Sequence, residues 1–283
     1  MNLIHKSIRR PETIAGIFIL AILIGAAILA STISPGDPLR IAGRALLSPF
    51  QDATLPLGTD RLGRDVLAGV LHGARTSLLV AVAAAFSAIA LGMCIGLIAG
   101  FCGGLIDEML MRVVDAFQIV PGFLLALAFV SVMGASLPTV ILAITLGAWP
   151  DPARLTRGQV LSIRERDYVA SARVIGMHPA EIAFRQILPQ AVAPVLALSA
   201  TIVASAILTE SALSFLGLGD PNSVTWGSMI AEGRNVLRSS PWLSIIPGMA
   251  LVATVIGVHL LGEGLAGSRS ATIGLQREDG GTP

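Results

Sequence analysis

The stretch Asp167-Tyr-Val-Ala-Ser-Ala-Arg-Val-Ile-Gly-Met-His-Pro-Ala-Glu-Ile-Ala-Phe-Arg-Gln-Ile-Leu-Pro189 is a polar island in a strongly apolar chain. It reads as a pair of short helices joined by a glycine. Asp167 is placed to N-cap the first, its carboxylate accepting an orphan backbone N–H. Gly176 suits the left-handed position that closes that helix. Pro179 fits the first turn of the second helix, where its missing N–H costs nothing, and Glu181 follows at the positive dipole end. Pro189 ends the segment. Local pattern alone leaves an amphipathic loop and a docking device equally open.

Outward from the island the chain is 54% apolar and only 13% charged. Soluble domains carry about 25% charged residues. So few charges cannot cover a water-facing surface, and the fold class expected is all-α, a polytopic membrane protein. The net charge of +1 gives no sign of a nucleic-acid partner. Cys94 and Cys102 form neither a disulfide framework nor a zinc spacing. The four histidines are scattered without ligand spacing. Lys6 is the only lysine, so no Gly-x-x-x-x-Gly-Lys-[Ser/Thr] phosphate loop exists in the chain. Any ATP that drives it must be hydrolysed by another chain. No Ser/His/Asp order or paired carboxylates point to catalysis.

Apolar runs, the first two of them free of charge, mark the expected spans. Thr13 to Ile33 is long enough for a ~30 Å hydrocarbon core at ~1.5 Å per residue. A cleaved signal peptide is the alternative there, kept open by Ala26-Ala27 and Ala30-Ser31. Thr76 to Phe101 carries Gly92, Gly96 and Gly100, a flat strip that lets helices pack closely in lipid. Val113 to Met133 follows, entered through Asp115, Gln118 and Pro121. Leu137 to Trp149 is short and meets Pro150-Asp151-Pro152. It is either re-entrant or, as preferred here, a kinked span continuing to about Arg157. Ala191 to Leu218 and Leu243 to Leu265 complete six expected spans. The expected organisation is 1–75 (N-terminal segment, first span and outer loop), 76–267 (membrane core with its 157–189 loop) and 268–283 (tail).

Six spans put both termini on one side. Twelve of the 19 Lys and Arg residues fall on that side and seven on the other. The positive-inside bias therefore places the termini and the island in the cytoplasm. Glu210 is the main intramembrane acid, and a charge at mid-bilayer costs ~2.5 kcal/mol or more. It either bonds between helices or lines a path. His259 and Glu263 share a face of the last span and read as a satisfied pair. In the first outer loop, Gly58-Thr59-Asp60 and Gly63-Arg64-Asp65 read locally as a solvated turn with ion pairs.

With these features in order, the chain resembles the smaller membrane permease of binding-protein-dependent ABC importers of the dipeptide/oligopeptide/nickel type. Three motifs carry the resemblance, which covers about Leu57 to Gly267. One is Gly58-Thr59-Asp60 with Gly63-Arg64-Asp65, then Gly73-Ala74-Arg75-x-Ser77-Leu78. Another is the permease loop, present as Ala170-Ser171-Ala172, Gly176 and Gln186-Ile187-Leu188-Pro189. The last is Leu208-Thr209-Glu210-Ser211-Ala212-Leu213-Ser214-Phe215-Leu216-Gly217-Leu218-Gly219, then Trp226-Gly227. Ala170 stands where the family has a glutamate, Ser171 replaces its first alanine, and Gln186 replaces the usual isoleucine.

The resemblance implies an ABC importer type I permease fold in the bacterial inner membrane. It implies a second homologous permease, two cytoplasmic ATPase subunits that bind the ATP and Mg, and an extracytoplasmic solute-binding protein docked on the 34–75 and 219–241 loops. No cofactor is expected on this chain itself. The 167–189 loop would dock on an ATPase through Asp167, Ala170, Ser171, Ala172, Arg173, Gly176, Arg185, Leu188 and Pro189. With Ala170 uncharged, docking falls to shape at Ser171, Ala172 and Gly176. Peptides, nickel and related small solutes remain open as substrates. A self-contained secondary transporter or channel is the alternative, although no internal repeat supports it.

Overall fold

In the computed structural model, residues 11–278 are described, with side chains through residue 264. Lys6, Arg9 and Arg10, counted in the charge bias, lie outside the described residues, as does the end of the tail. The described chain is helical, and its β-pairing is confined to isolated bridges Ile41–Arg64 and Thr59–Asp65.

Helix α1 spans Pro11–Ile33. An outer loop leads to α2, Val66–Cys102, the helix on which the others are assembled. It begins ahead of the uncharged run at Thr76, because the Asp65 carboxylate caps it by accepting from Leu67 N at 2.9 Å. Ala81, Ala84, Ala85 and Ala88 on α2 are all buried. Apolar burial drives nothing in lipid, so close backbone approach holds the bundle. A Cβ at Gly92 would lie 2.6 Å from Trp149 O, and one at Gly100 would lie 2.8 Å from Val160 Cβ. The glycine strip is therefore the seat of the helix that carries Trp149 to Val160.

The expected span Val113–Met133 is broken in the structure. Helix α3, Gly104–Ile119, and α4, Gly122–Met133, meet at an 83° bend. Pro121 removes a donor, and Val120, preceding a proline, is extended at φ −93°, ψ 128°. Helix α5, Leu137–Ala148, starts at Ser136, whose side chain accepts from Thr139 N. Trp149 stays helical, accepting from Ala153 N while its own N–H reaches Thr145 O. Helix α6, Pro150–Arg164, thus continues α5 well past Arg157.

Helices α7, Asp167–Val174, and α8, Pro179–Glu181, follow. A π-turn over Ile182–Ile187 then runs into α9, Leu188–Phe215. Helix α10, Trp226–Arg234, crosses the end of the bundle, and α11, Trp242–Glu278, extends beyond residue 267. Among the described residues, four helices can cross a membrane by length and composition, and the bent α3–α4 pair would make five. Six spans were expected; α5, with 12 residues, covers only ~18 Å alone and depends on α6 for full thickness.

Candidate functional site

The 167–189 loop is built as a rigid wedge. Helix α7 closes in a Schellman motif: Met177 N–H reaches Ala172 O and Gly176 N–H reaches Arg173 O, both at 3.1 Å. Gly176 has φ +79°, the left-handed conformation expected of it. The His178 ring then accepts from Ala180 N at 3.3 Å to start α8. Val169, Ala172, Ile182 and Ile187 are buried together against Leu97 of α2, Val160 and Ile163 of α6 and Ala191 of α9.

Several expectations for this loop are revised. Asp167 is the first helical residue rather than the cap; that position belongs to Arg166 and no side chain caps it. Ala172 points into the loop's own core, so it is no docking surface. Ser171 is exposed, but its hydroxyl donates back to Asp167 O at 2.9 Å. Leu188 is half-buried, and the exposed Pro189 sits in the first turn of α9 instead of ending the segment. Pro189 lacks a donor and its ring crowds the preceding turn, which accounts for the widened π-turn: Leu188 N–H reaches back to Ala183 O. The second short helix is therefore the leading turn of the long α9.

What faces outward is apolar, a surface that the motif pattern does not include. Val174 is 87% exposed and Ile175 77%, side by side at the tip with Ala170, Ser171, Arg173 and Gly176. Two consecutive β-branched residues directly before the closing glycine were the available signal. Arg173 makes no ion pair among the described residues, whereas Arg185 pairs with Glu181.

Glu210 is sealed, at 1% exposure. It accepts from Ser214 Oγ at 2.7 Å, Ser77 Oγ at 3.2 Å and Ser211 Oγ at 3.3 Å. Ser77 in turn accepts from Trp226 N at 3.3 Å, and the Trp226 indole donates to Val70 O at 3.1 Å. Of its two readings, the geometry is that of an interhelical bond joining α2, α9 and α10. His259 Nε2 and Glu263 Oε1 lie 3.3 Å apart, as a pair on an exposed face.

The outer-loop motif is a folded staple, not a solvated turn. Thr59 is fully buried; its hydroxyl donates to Arg44 O and accepts from Leu47 N at 2.9 Å. Gly58 sits at φ +76° with its α-carbon against the Leu47 carbonyl, and Gly63 lies equally close to the Gly43 carbonyl. Asp60 Oδ1 accepts from Leu62 N and Arg64 N, both at 2.8 Å. Arg64 reaches Glu232 of α10 at 3.7 Å. Burial and the Asp60 charge raise the Glu232 pKa, against the opposing pull of Arg64 and Arg61. Staple, α10 and the adjoining ends of α2 and α9 enclose a cavity of 320 Å³ lined by Asp60, Arg64, Ser214, Thr225 and Glu232. Among the described residues no group of His, Cys, Asp and Glu is arranged to hold a metal ion.

The sequence pattern of the binding-protein-dependent transport system inner membrane component matches residues 92–266. The chain belongs to this family. The di/tripeptide transport system permease protein DppC of Pseudomonas aeruginosa is 34% identical over 258 residues, 89% of this chain and 85% of the relative. The glutathione transport system permease protein GsiD of Pectobacterium atrosepticum is 35% identical over 252 residues, 89% of this chain and 83% of the relative. The permease of the inward-facing MetNI methionine ABC transporter superposes with TM-score 0.57 at 18% identity, covering 71% of this chain and 95% of that one. That likeness establishes the type I importer fold. The chain is thus a multi-pass inner-membrane permease of an ABC importer.

Proposed function

We propose that this permease is one half of a path for short peptides, paired with a homologous permease, and that its 167–189 loop docks on one of two separate ATPase subunits in the cytoplasm. The apolar tip, Val174 and Ile175, carries the docking reading. It is exposed on a wedge whose base is buried against α2, α6 and α9, so a force applied at the tip moves those helices instead of deforming the loop. Ala170 supplies no charge, and apolar contact takes its place. On the opposite face, the staple and α10 form the surface offered to an extracytoplasmic solute-binding protein. The peptide class rests on the relatives named for di/tripeptide and glutathione transport.

The test is purification of the assembled importer carrying Ile175→Glu. A charge buried against an apolar partner groove is strongly unfavourable. The expected result is loss of the ATPase subunit from a complex that keeps both permeases. An unchanged ATPase content with full peptide uptake would overturn the docking surface.

A further inference from the structure

Helix α6 leaves the docking loop with different attachments on its two sides. On one side it is seated on the α2 glycine strip, where a Cβ at Gly92, Gly96 or Gly100 would collide with Trp149, Ala153, Thr156 or Val160. On the other side it faces α3 through a polar seam. The Arg157 guanidinium grips Asp107 with both prongs, Nε on Oδ1 at 2.5 Å and Nη2 on Oδ2 at 2.7 Å. Farther along, Arg154 pairs with Asp115, and Gln118 Nε2 donates to Asp151 Oδ1 at 2.8 Å. Residue numbers rise on α3 as they fall on α6, so the seam is antiparallel and continuous. Beneath it, Val114 is buried with Trp149 and Ala153, and Phe117 meets the Trp149 ring edge-on at 5.2 Å.

We propose that this seam, with Arg157–Asp107 as its anchor, is the positioning device that carries movement of the docking loop from α6 into α3, and through the Pro121 elbow into α4. This rests on the docking reading of the loop. Four features of the seam support it. Its α6 end lies next to the loop, since Arg164 ends α6 and also donates to Gly100 O at 2.7 Å. Its α3 end lies at the elbow, since Gln118 is near the end of α3 and α4 starts at Gly122. Bidentate Arg–carboxylate geometry fixes one register, which a purely apolar contact would not. Arg157 and Asp107 are also the least exposed pair of the seam, at 34% and 14% of the side chain, so water competes least there.

The test measures ATP hydrolysed per peptide taken up by the complete importer in proteoliposomes. Arg157→Asp is expected to lower uptake at least tenfold while ATP hydrolysis persists. The swap Arg157→Asp with Asp107→Arg is expected to restore the uptake. Coupled uptake retained in Arg157→Asp, or a swap no better than the single reversal, would overturn the proposal. If the reversal prevents assembly, Arg157→Gln is measured instead, with the same loss of coupling expected and normal coupling contradicting it. ATPase content is measured in every preparation: its absence from the native importer would count against loop docking, whereas the seam fails only when a docked ATPase stays coupled without it.

Discussion

At the residue scale, glycine positions separate contact from composition. A Cβ at Gly96 would strike Ala153 O and lie 2.8 Å from Thr156 Cβ, while one at Gly158 meets nothing within 4 Å. Gly96→Ala is expected to destabilise the fold by about 1–3 kcal/mol, the range for overpacking. Gly158→Ala is expected to be neutral or to stabilise by up to about 1 kcal/mol through helix propensity. Thermal melting of the two variants in detergent checks both, and equal melting points would contradict the packing. Glu210 accepts three hydroxyl donors on its two carboxylate oxygens, and a glutamine in its place would turn one of those acceptors into a donor. Glu210→Gln is expected to cost about 1–2 kcal/mol and to lower uptake without loss of assembly. Wild-type melting and uptake in that variant would remove the role given to the network. Glu232 responds to pH. Its pKa is raised in the folded chain, so the folded state holds the proton longer than the unfolded one. Stability therefore falls as pH rises from the ordinary glutamate value through the raised one. Melting followed across that window should lose part of its slope in Glu232→Gln, and an unaltered slope would speak against the burial cause.

At the element scale, the 167–189 loop divides into a buried base and an exposed tip. Ala172→Leu places extra volume into the cluster of Val169, Ile182 and Ile187 and is expected to unseat α7, lowering uptake and increasing protease cleavage within 167–178. Protection equal to wild type would contradict that packing. Much of this loop was legible beforehand. Gly176 and Pro179 each have one backbone use that their chemistry fits, so their positions could be read directly. The direction of Ala172 was not, because alanine suits both a buried and an exposed face. The π-turn was hidden for a similar reason. Pro189 signals a break, yet it does not say whether the helix stops or widens. The elbow at Pro121 was written in the sequence as a proline inside an apolar run. Hydropathy places it inside one straight run, Val113 to Met133, and does not show that the proline bends it. Asp65 explains why α2 starts early: a cap defines a helix end, whereas a hydropathy run defines only its apolar part. Thr59 escaped because its burial depends on Arg44 and Leu47, contacts made across a loop whose closure has no local pattern.

At the scale of the whole molecule, the described chain is assembled along α2. One end is the 167–189 wedge, proposed to dock on an ATPase, and the other is the outer staple, with Glu210 joining α2, α9 and α10 near that second end. Composition alone was enough to read a helical membrane protein, because 13% charge cannot clothe a soluble surface. The span count was less legible, since a 12-residue α5 and a bent α3–α4 pair do not behave as separate hydropathy peaks. Nor does the sequence place ionic partners between helices: Asp107 and Arg157 are 50 positions apart, and only the antiparallel approach of α3 and α6 brings them together. The central claim is that the apolar tip of the loop seats on an ATPase. It is tested most directly by a photo-crosslinking amino acid placed at position 175 of the intact importer in membranes. The expected result is a covalent adduct with the ATPase subunit, formed in a yield that changes as ATP is bound and hydrolysed. Full peptide uptake with no adduct at position 175, and adducts instead at a distant surface, would contradict it.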